Sequence, residues 1–195
     1  MKTTRLEAFS DGVLAIIITI MVLELKVPHG ADAASLKPLI PHLLSYVMSF
    51  IYLGIYWNNH HHMLHTVVRV TGGILWANLH LLFWLSLVPV ATGWMGENLL
   101  HELPTALYGV ILLMAAIAYF ILQNVIIHAQ GTHSTLAAAV GRDWKGKTSV
   151  LLYAAAIGMS LVRPWAAYVI YVIVAVMWLV PDRRIEKQVS TAEGP

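Results

Sequence analysis

Cysteine is absent from this chain of 195 residues, and charged residues make up only 11% of it. The lack of cysteine excludes disulfide bonds, thiolate metal sites and a cysteine nucleophile. A soluble domain carries roughly a quarter charged residues, so too few charges remain here to cover a surface in water. Hydrophobic residues account for 58% of the chain. The composition therefore predicts an integral membrane protein and excludes a disordered chain, a small secreted scaffold and an ordinary cytosolic enzyme.

Six apolar stretches are long enough, or nearly so, to cross a bilayer, because a hydrocarbon core about 30 Å thick needs roughly 20 helical residues. The last two are short and divided by Arg163 and Pro164, so one bent hairpin is an alternative to two crossings. Two crossings are favoured because proline suits the first turn of a helix. The sequence thus predicts an all-α membrane protein with a short basic tail at 181–195 and helices at about 6–27, 39–62, 71–94, 103–128, 148–162 and 165–180.

The first stretch is not expected to be a cleavable signal peptide. Its apolar run is too long, and Glu24 and Lys26 follow it where small residues would precede a cleavage site.

The Lys and Arg residues are divided unequally between the two sides that six crossings define. One side carries Lys26, Lys37 and Arg163. The side with both termini carries the other nine of the 12: Lys2, Arg5, Arg69, Arg142, Lys145, Lys147, Arg183, Arg184 and Lys187. Cytoplasmic loops hold the excess of basic residues, so both termini of a cell-membrane protein are predicted to be cytoplasmic. No basic stripe stands out, and nucleic-acid binding is not expected.

Polar side chains of the first four helices gather within roughly the cytoplasmic third of the bilayer. Helix one carries Ser10 and Asp11 at this depth, helix two carries His60, and helix three carries Asn78. Such residues face a bundle interior or a water-filled path. Two interpretations stay open, a hydrogen-bonded clamp that fixes helix packing and a proton or cation site. A buried Asp11 needs donors, which His60, Asn78 or an indole N–H could supply.

Four histidines near the end of helix two invite a metal interpretation, because His61 and His65 share one helical face. The signal is weak, since the chain has no HExxH motif and no cysteine to assist. Histidine is also a suitable anchor at a membrane boundary, so no metal site is predicted. The remaining candidates are expected to be loop residues without a site role: His29, His42, His101 and His133.

Helix one carries an apolar stripe with a single hydroxyl. At 100° per residue, Gly12, Ile16, Thr19 and Leu23 line up, whereas Asp11 points away from them. One stripe cannot enclose a pore, but several copies around a symmetry axis would stack these side chains as rings. Hydrophobic rings gate by dewetting, and threonine hydroxyls offer oxygens to a passing cation. The same spacing also suits an ordinary helix-packing surface.

The start of helix one matches the pattern Arg-x-x-x-Phe-Ser-Asp, formed by Arg5, Phe9, Ser10 and Asp11. This pattern is the signature of the transmembrane protein 175 potassium channels, and the sequence resembles the prokaryotic, single-repeat branch of that family. The resemblance is strong over residues 1–119 and rests on hydropathy in the last two helices. Supporting blocks lie at residues 15–19, 56–61, 76–78 and 83–89.

The resemblance implies a homotetramer of six-helix subunits around four copies of helix one. It implies a hydrophobic constriction at Ile16, a threonine layer at Thr19 and a second hydrophobic layer at Leu23. It also implies that the motif residues fix helix one against helices two and three. The partners implied for Arg5, Ser10 and Asp11 are His60, Trp76 and Asn78.

The leading hypothesis is a potassium-permeable channel that conducts passively with modest selectivity over sodium. Selectivity is expected to be modest because hydrophobic rings and one hydroxyl layer cannot replace a hydration shell as a cage of carbonyls does. The expected partners are lipid, K⁺ and further copies of the chain, with no cofactor.

The alternative hypothesis is a secondary transporter that couples protons through Asp11 and the histidines. The inverted repeats and broken helices that would favour a transporter are not evident in the sequence. An enzyme is not expected, because no Ser-His-Asp set, carboxylate pair or phosphate loop converges at one depth.

Overall fold

The computed structural model describes residues 3–131, 134–141 and 143–179, and the regular structure in this part of the chain is entirely helical. Two 3-10 segments, Met21–Glu24 and Ala33–Leu39, follow the first helix and precede the second. The all-α class predicted from composition is confirmed. The helices are α1 (Thr3–Ile20), α2 (Ile40–His65), α3 (Gly72–Ser86), α4 (Val88–Glu97), α5 (Glu102–Gln130), α6 (Thr135–Val140), α7 (Trp144–Ser160) and α8 (Pro164–Leu179).

Four helical stretches of the described residues are long and apolar enough to cross a membrane, and they coincide with the first four predicted crossings. They are Thr3–Glu24, Ala33–His65, Gly72–Glu97 and Glu102–Gln130. The helices α7 and α8 are shorter, with 17 and 16 residues, which at 1.5 Å per residue gives about 25 Å each. The count of six crossings therefore stays a prediction.

The third predicted helix is divided into α3 and α4. The division falls at Leu87, two residues before Pro89, which lacks a backbone N–H and crowds the preceding turn. The short helix α6 was not predicted; the hydroxyl of Ser134 caps it by accepting from the N–H of Ala137 at 3.3 Å. The predicted tail at 181–195 lies outside the described residues.

Buried hydroxyl groups join the helices behind the candidate site. Ser49 on α2 bonds to the hydroxyl of Thr92 on α4 at 2.7 Å and to that of Tyr108 on α5 at 3.0 Å. Tyr171 on α8 donates to the carbonyl oxygen of Thr105 at 2.9 Å. In a membrane, where water does not satisfy such groups, these contacts add to apolar packing in fixing the bundle.

Candidate functional site

Helix α1 has one buried face and one exposed face within the single chain. The exposed face carries Gly12, Ile16 and Thr19, and 58% of the Ile16 surface is accessible. The helix packs against α2 and α3 through the other face. The residues of that buried face recur at steps of three or four: Leu6, Ser10, Leu14, Ile17 and Met21. The stripe predicted from sequence therefore lies on the exposed face of α1 in the single chain.

Leu23 lies beyond the α-helical part of this segment. The chain tightens into a 3-10 turn at Met21–Glu24, so the rotation of 100° per residue that aligned Leu23 with Ile16 does not hold to the end. Leu23 is nevertheless 77% exposed. The α-helical stripe consists of Gly12, Ile16 and Thr19, and Leu23 follows it on the turn.

The hydroxyl of Thr19 is oriented by its own helix. Its oxygen lies 2.9 Å from the carbonyl oxygen of Ala15 and 3.0 Å from that of Ile16. The single proton of the hydroxyl is donated to these two carbonyl oxygens. A hydroxyl group also has two lone pairs that accept. Because the proton is used within the helix, the exposed oxygen is available as an acceptor, which is the property that a cation requires.

A chain of hydrogen bonds connects the buried face of α1 to α2 and α3. Asn78 on α3 donates from Nδ2 to Ser10 Oγ at 3.0 Å, and Ser10 Oγ donates to the carbonyl oxygen of Leu6 at 2.8 Å. His60 Nε2 on α2 lies 2.7 Å from Asn78 Oδ1. That oxygen can only accept, so Nε2 carries the proton. Ser10, His60 and Asn78 are all fully buried, and we call this chain of bonds the Ser10–Asn78–His60 clamp.

Asp11 accepts from an indole N–H, one of the donors predicted from the sequence, but the indole belongs to Trp57 and not to a residue that the resemblance implied. Trp57 Nε1 on α2 donates to Asp11 Oδ1 at 3.0 Å. Trp76 is 76% exposed and does not reach the motif within the single chain. It precedes the buried Asn78 by two residues, and this places it about 200° around the helix from the clamp. The structure thus brings Asn78 and His60 to the motif, but not Trp76.

The other two motif residues face outward in the subunit. Arg5 and Phe9 both lie on the exposed surface of α1. Among the residues that the structure describes, the one ion pair joins Lys26 and Glu97, with Nζ and Oε1 2.7 Å apart. No carboxylate among the described residues therefore pairs with Arg5.

The histidines at the end of α2 pack against each other and against Trp57. The rings of His61 and His65 are perpendicular, with centroids 4.4 Å apart, and Trp57 stacks on His61 at 6.1 Å. In residues 3–131, 134–141 and 143–179, no group of three or more His, Cys, Asp or Glu side chains is placed to hold a metal ion. The geometry of these histidines is that of a ring cluster at the helix end.

The fold and this geometry define an all-α membrane protein whose first helix is held by a buried polar clamp and exposes a largely apolar face. The sequence profile described as "Endosomal/lysosomal potassium channel TMEM175" matches residues 5–89. A protein from Chryseobacterium sp. (strain P1-3) named as a potassium channel is 57% identical over 190 residues, which cover 97% of this chain and 99% of that protein. The chain belongs to the TMEM175 family, which is a family of ion channels and not of enzymes.

Two further comparisons support this assignment. The crystal structure of a lysosomal potassium-selective channel TMEM175 homolog from Chamaesiphon minutus is similar with a TM-score of 0.81 and 30% sequence identity, covering 92% of this chain and 97% of that one. The human endosomal/lysosomal proton channel TMEM175 is 32% identical over 99 residues, which cover 45% of this chain and 20% of the human protein.

Proposed function

We propose that this chain is the subunit of a potassium-permeable cation channel in the cell membrane, with α1 as the pore wall. The observation that carries the proposal is the stripe of α1, where Ile16 and Thr19 are exposed on the surface of the single chain. The names of the relatives from Chryseobacterium and Chamaesiphon minutus, a potassium channel and a potassium-selective channel homolog, support potassium as the permeant ion.

The proposed assembly is a homotetramer in which four copies of α1 surround the axis. A single stripe cannot enclose a pore, whereas rotational symmetry converts each exposed residue into a ring. The outward position of Arg5, Phe9 and Trp76 supports such an assembly, because neighbouring subunits offer partners that the single subunit lacks. We place six crossings in each subunit and both termini in the cytoplasm, according to the distribution of Lys and Arg.

In the proposed mechanism, the ring of Ile16 forms the constriction, and Leu23 forms a second apolar layer. Such rings oppose ion passage by expelling water when they are narrow. Between them lies the ring of Thr19. The oxygen atoms of this ring can bind a cation in the pore, because their protons are bonded within the helix. This layer favours a weakly hydrated cation, and one layer of hydroxyl oxygens gives only modest selectivity for potassium over sodium.

The experiment that tests the pore wall measures potassium flux into liposomes that contain the purified protein. Ile16→Asn is expected to raise the flux several-fold, because an amide hydrates the constriction. The matched control is Ile173→Asn, which makes the same substitution at an exposed isoleucine of α8. Unchanged flux after polar substitution of both Ile16 and Leu23, or an equal rise in the α8 control, would contradict the assignment of α1 as the pore wall.

The same liposomes test the role of the Thr19 hydroxyl and distinguish a channel from the alternative, a proton-coupled transporter. Thr19→Val removes the hydroxyl at nearly constant volume, so the preference for potassium over sodium should fall while the flux persists. Proton flux is recorded in parallel, because the vertebrate relatives are named proton channels. Saturable flux that requires a pH gradient and is uncoupled by Asp11→Asn would favour the transporter over the channel.

A further inference from the structure

A small cavity lies between α2, α5, α7 and α8, apart from the candidate pore helix. Its volume is about 40 Å³, and no residue of α1 lines it in the described part of the chain. Half of the twelve lining residues are aromatic. These six are Tyr52, Tyr56, Tyr119, Phe120, Tyr153 and Trp178.

The aromatic rings that line the cavity are fixed by contacts with each other and by hydrogen bonds to other residues. The centroid of Tyr119 lies 6.2 Å from that of Tyr56 and 6.3 Å from that of Trp178, and both pairs meet edge to face. Trp178 Nε1 donates to Ser149 Oγ at 2.7 Å, and the hydroxyl of Tyr119 donates to the carbonyl oxygen of Asn59 at 3.3 Å. Because these donors already have partners, the two residues offer π surface to a ligand rather than further hydrogen bonds.

One acidic side chain, that of Asp143, lines the same cavity, and the lining includes no basic side chain among the described residues. Its Oδ1 accepts from the backbone N–H of Gly146 at 3.1 Å, and its Oδ2 accepts from Gln123 Nε2 at 3.3 Å. Both donors are neutral, so they fix the carboxylate without cancelling its charge. Lys145 does not line the cavity, but its Nζ lies 5.8 Å from the centroid of the Trp178 ring. The Trp178 ring therefore already attracts one ammonium group from outside the cavity.

We propose that this cavity is a binding site for an alkylammonium group, such as the methylated ammonium head of a small amine or of a lipid. A carboxylate combined with aromatic walls is the chemistry that recognises such cations, since the ring faces attract positive charge and the methyl groups fill apolar space. A water needs roughly 10 to 15 Å³ of such space, so the cavity has room for about three waters, which the methyl groups of an ammonium head would displace. The site is separate from the proposed pore and does not depend on it.

The test compares choline with 3,3-dimethyl-1-butanol, which has the same shape without the charge. Binding to the full-length protein is measured by saturation-transfer NMR in nanodiscs made of phosphatidylglycerol, which lacks an amine. Choline is expected to bind at least about tenfold more tightly than the neutral analogue. Equal binding of the two compounds would overturn the proposal, because the cavity would then be an apolar space without preference for a cation.

Two substitutions test separately what the carboxylate and the aromatic rings contribute to binding. Asp143→Asn keeps an acceptor for Gly146 and suits the left-handed backbone at this position, where φ is 42°, so the fold should persist. It should weaken choline binding about tenfold and leave the binding of the alcohol unchanged. Trp178→Leu should also weaken choline binding, whereas the control Trp165→Leu, at an exposed position of α8, should not. Unchanged choline affinity in both cavity variants would overturn the proposal.

The lipid composition distinguishes the two sources of the ammonium group. Loss of choline binding when phosphatidylcholine is added to the nanodiscs assigns the site to a lipid headgroup. Retention of binding assigns it to a soluble amine. Both results support the proposal, provided that the preference for choline over its neutral analogue is observed.

Discussion

Replacing Asn78 by leucine removes the central member of the Ser10–Asn78–His60 clamp. The amide makes two of the three bonds of the chain, at 3.0 Å to Ser10 and at 2.7 Å to His60, and all three residues are fully buried. Leucine has the same branching at Cγ and the same number of side-chain heavy atoms, but no polar atom. The substitution therefore leaves the His60 N–H without an acceptor, while Ser10 keeps its bond to the carbonyl oxygen of Leu6.

The expected cost follows from that unsatisfied donor. A buried donor without a partner costs about 1 to 3 kcal/mol, and interhelical bonds in membranes contribute about 0.6 to 2 kcal/mol each. We expect Asn78→Leu to lower the free energy of unfolding by about 1 to 3 kcal/mol. Ser10→Ala, which strands one N–H of Asn78, should cost about 1 kcal/mol. In the double variant the shared bond is lost only once, so the two effects should fall short of additivity by about 1 kcal/mol.

Unfolding of the purified protein in mixed micelles with an increasing fraction of SDS measures these free energies. Asn124→Leu is the matched control, because Asn124 is exposed on α5 and bonds only to the carbonyl oxygen of Phe120 in its own helix, at 2.7 Å. It should change stability by less than about 0.5 kcal/mol. Additive effects of Ser10→Ala and Asn78→Leu, or an equal loss in the control, would refute the clamp.

The same unfolding assay checks two further predictions. Gly109→Ala should destabilise by about 1 to 3 kcal/mol, because an added Cβ would overlap the hydroxyl of Tyr171, whereas Gly54→Ala, with no neighbour within 4 Å, should leave stability unchanged or raise it; equal effects would contradict the α5–α8 packing. Lys26→Met should produce no measurable change at neutral pH, because the side chains of Lys26 and Glu97 are 75% and 52% exposed. The hydrogen bond to Glu97 raises the pKa of Lys26, so any contribution of the pair is present at neutral pH and is lost only as the pH rises through that pKa. A clear loss of stability in Lys26→Met at neutral pH would contradict this weak role.

The membrane class and the four long spans were predictable because apolar length is a strong signal that needs no tertiary information. The ends of these spans were less predictable. Residues 21–24 are apolar enough to continue α1, and hydropathy does not distinguish an α-helix from the 3-10 turn that the chain forms there. Pro89 indicates a break between α3 and α4, but the apolar run continues on both sides of it, so the sequence predicted one continuous helix.

The members of the clamp and an indole donor to Asp11 were predictable from shared depth, but the tryptophan that supplies this donor was not. Trp57 and Trp76 both lie near the depth of the motif in the predicted spans, and depth does not determine the rotation of a helix. The deciding signal is the position relative to a buried residue. Trp76 is two residues from the buried Asn78 and so lies on the opposite side of α3, whereas Trp57 on α2 lies where its indole reaches Asp11.

The clamp explains why a helix with so apolar a middle carries buried polar residues near its beginning. In lipid, an apolar helix gains little from burying one apolar face rather than another, since lipid tails are as apolar as the neighbouring side chains. Hydrogen bonds are directional, so the bond from Asn78 to Ser10 fixes the rotation of α1. A rotation by one residue, about 100°, would turn Ile16 and Thr19 away from the face that they now occupy. The proposed constriction, with one side chain from each copy of the chain, would tolerate no such rotation, and the polar residues of the motif supply the restraint that apolar packing lacks.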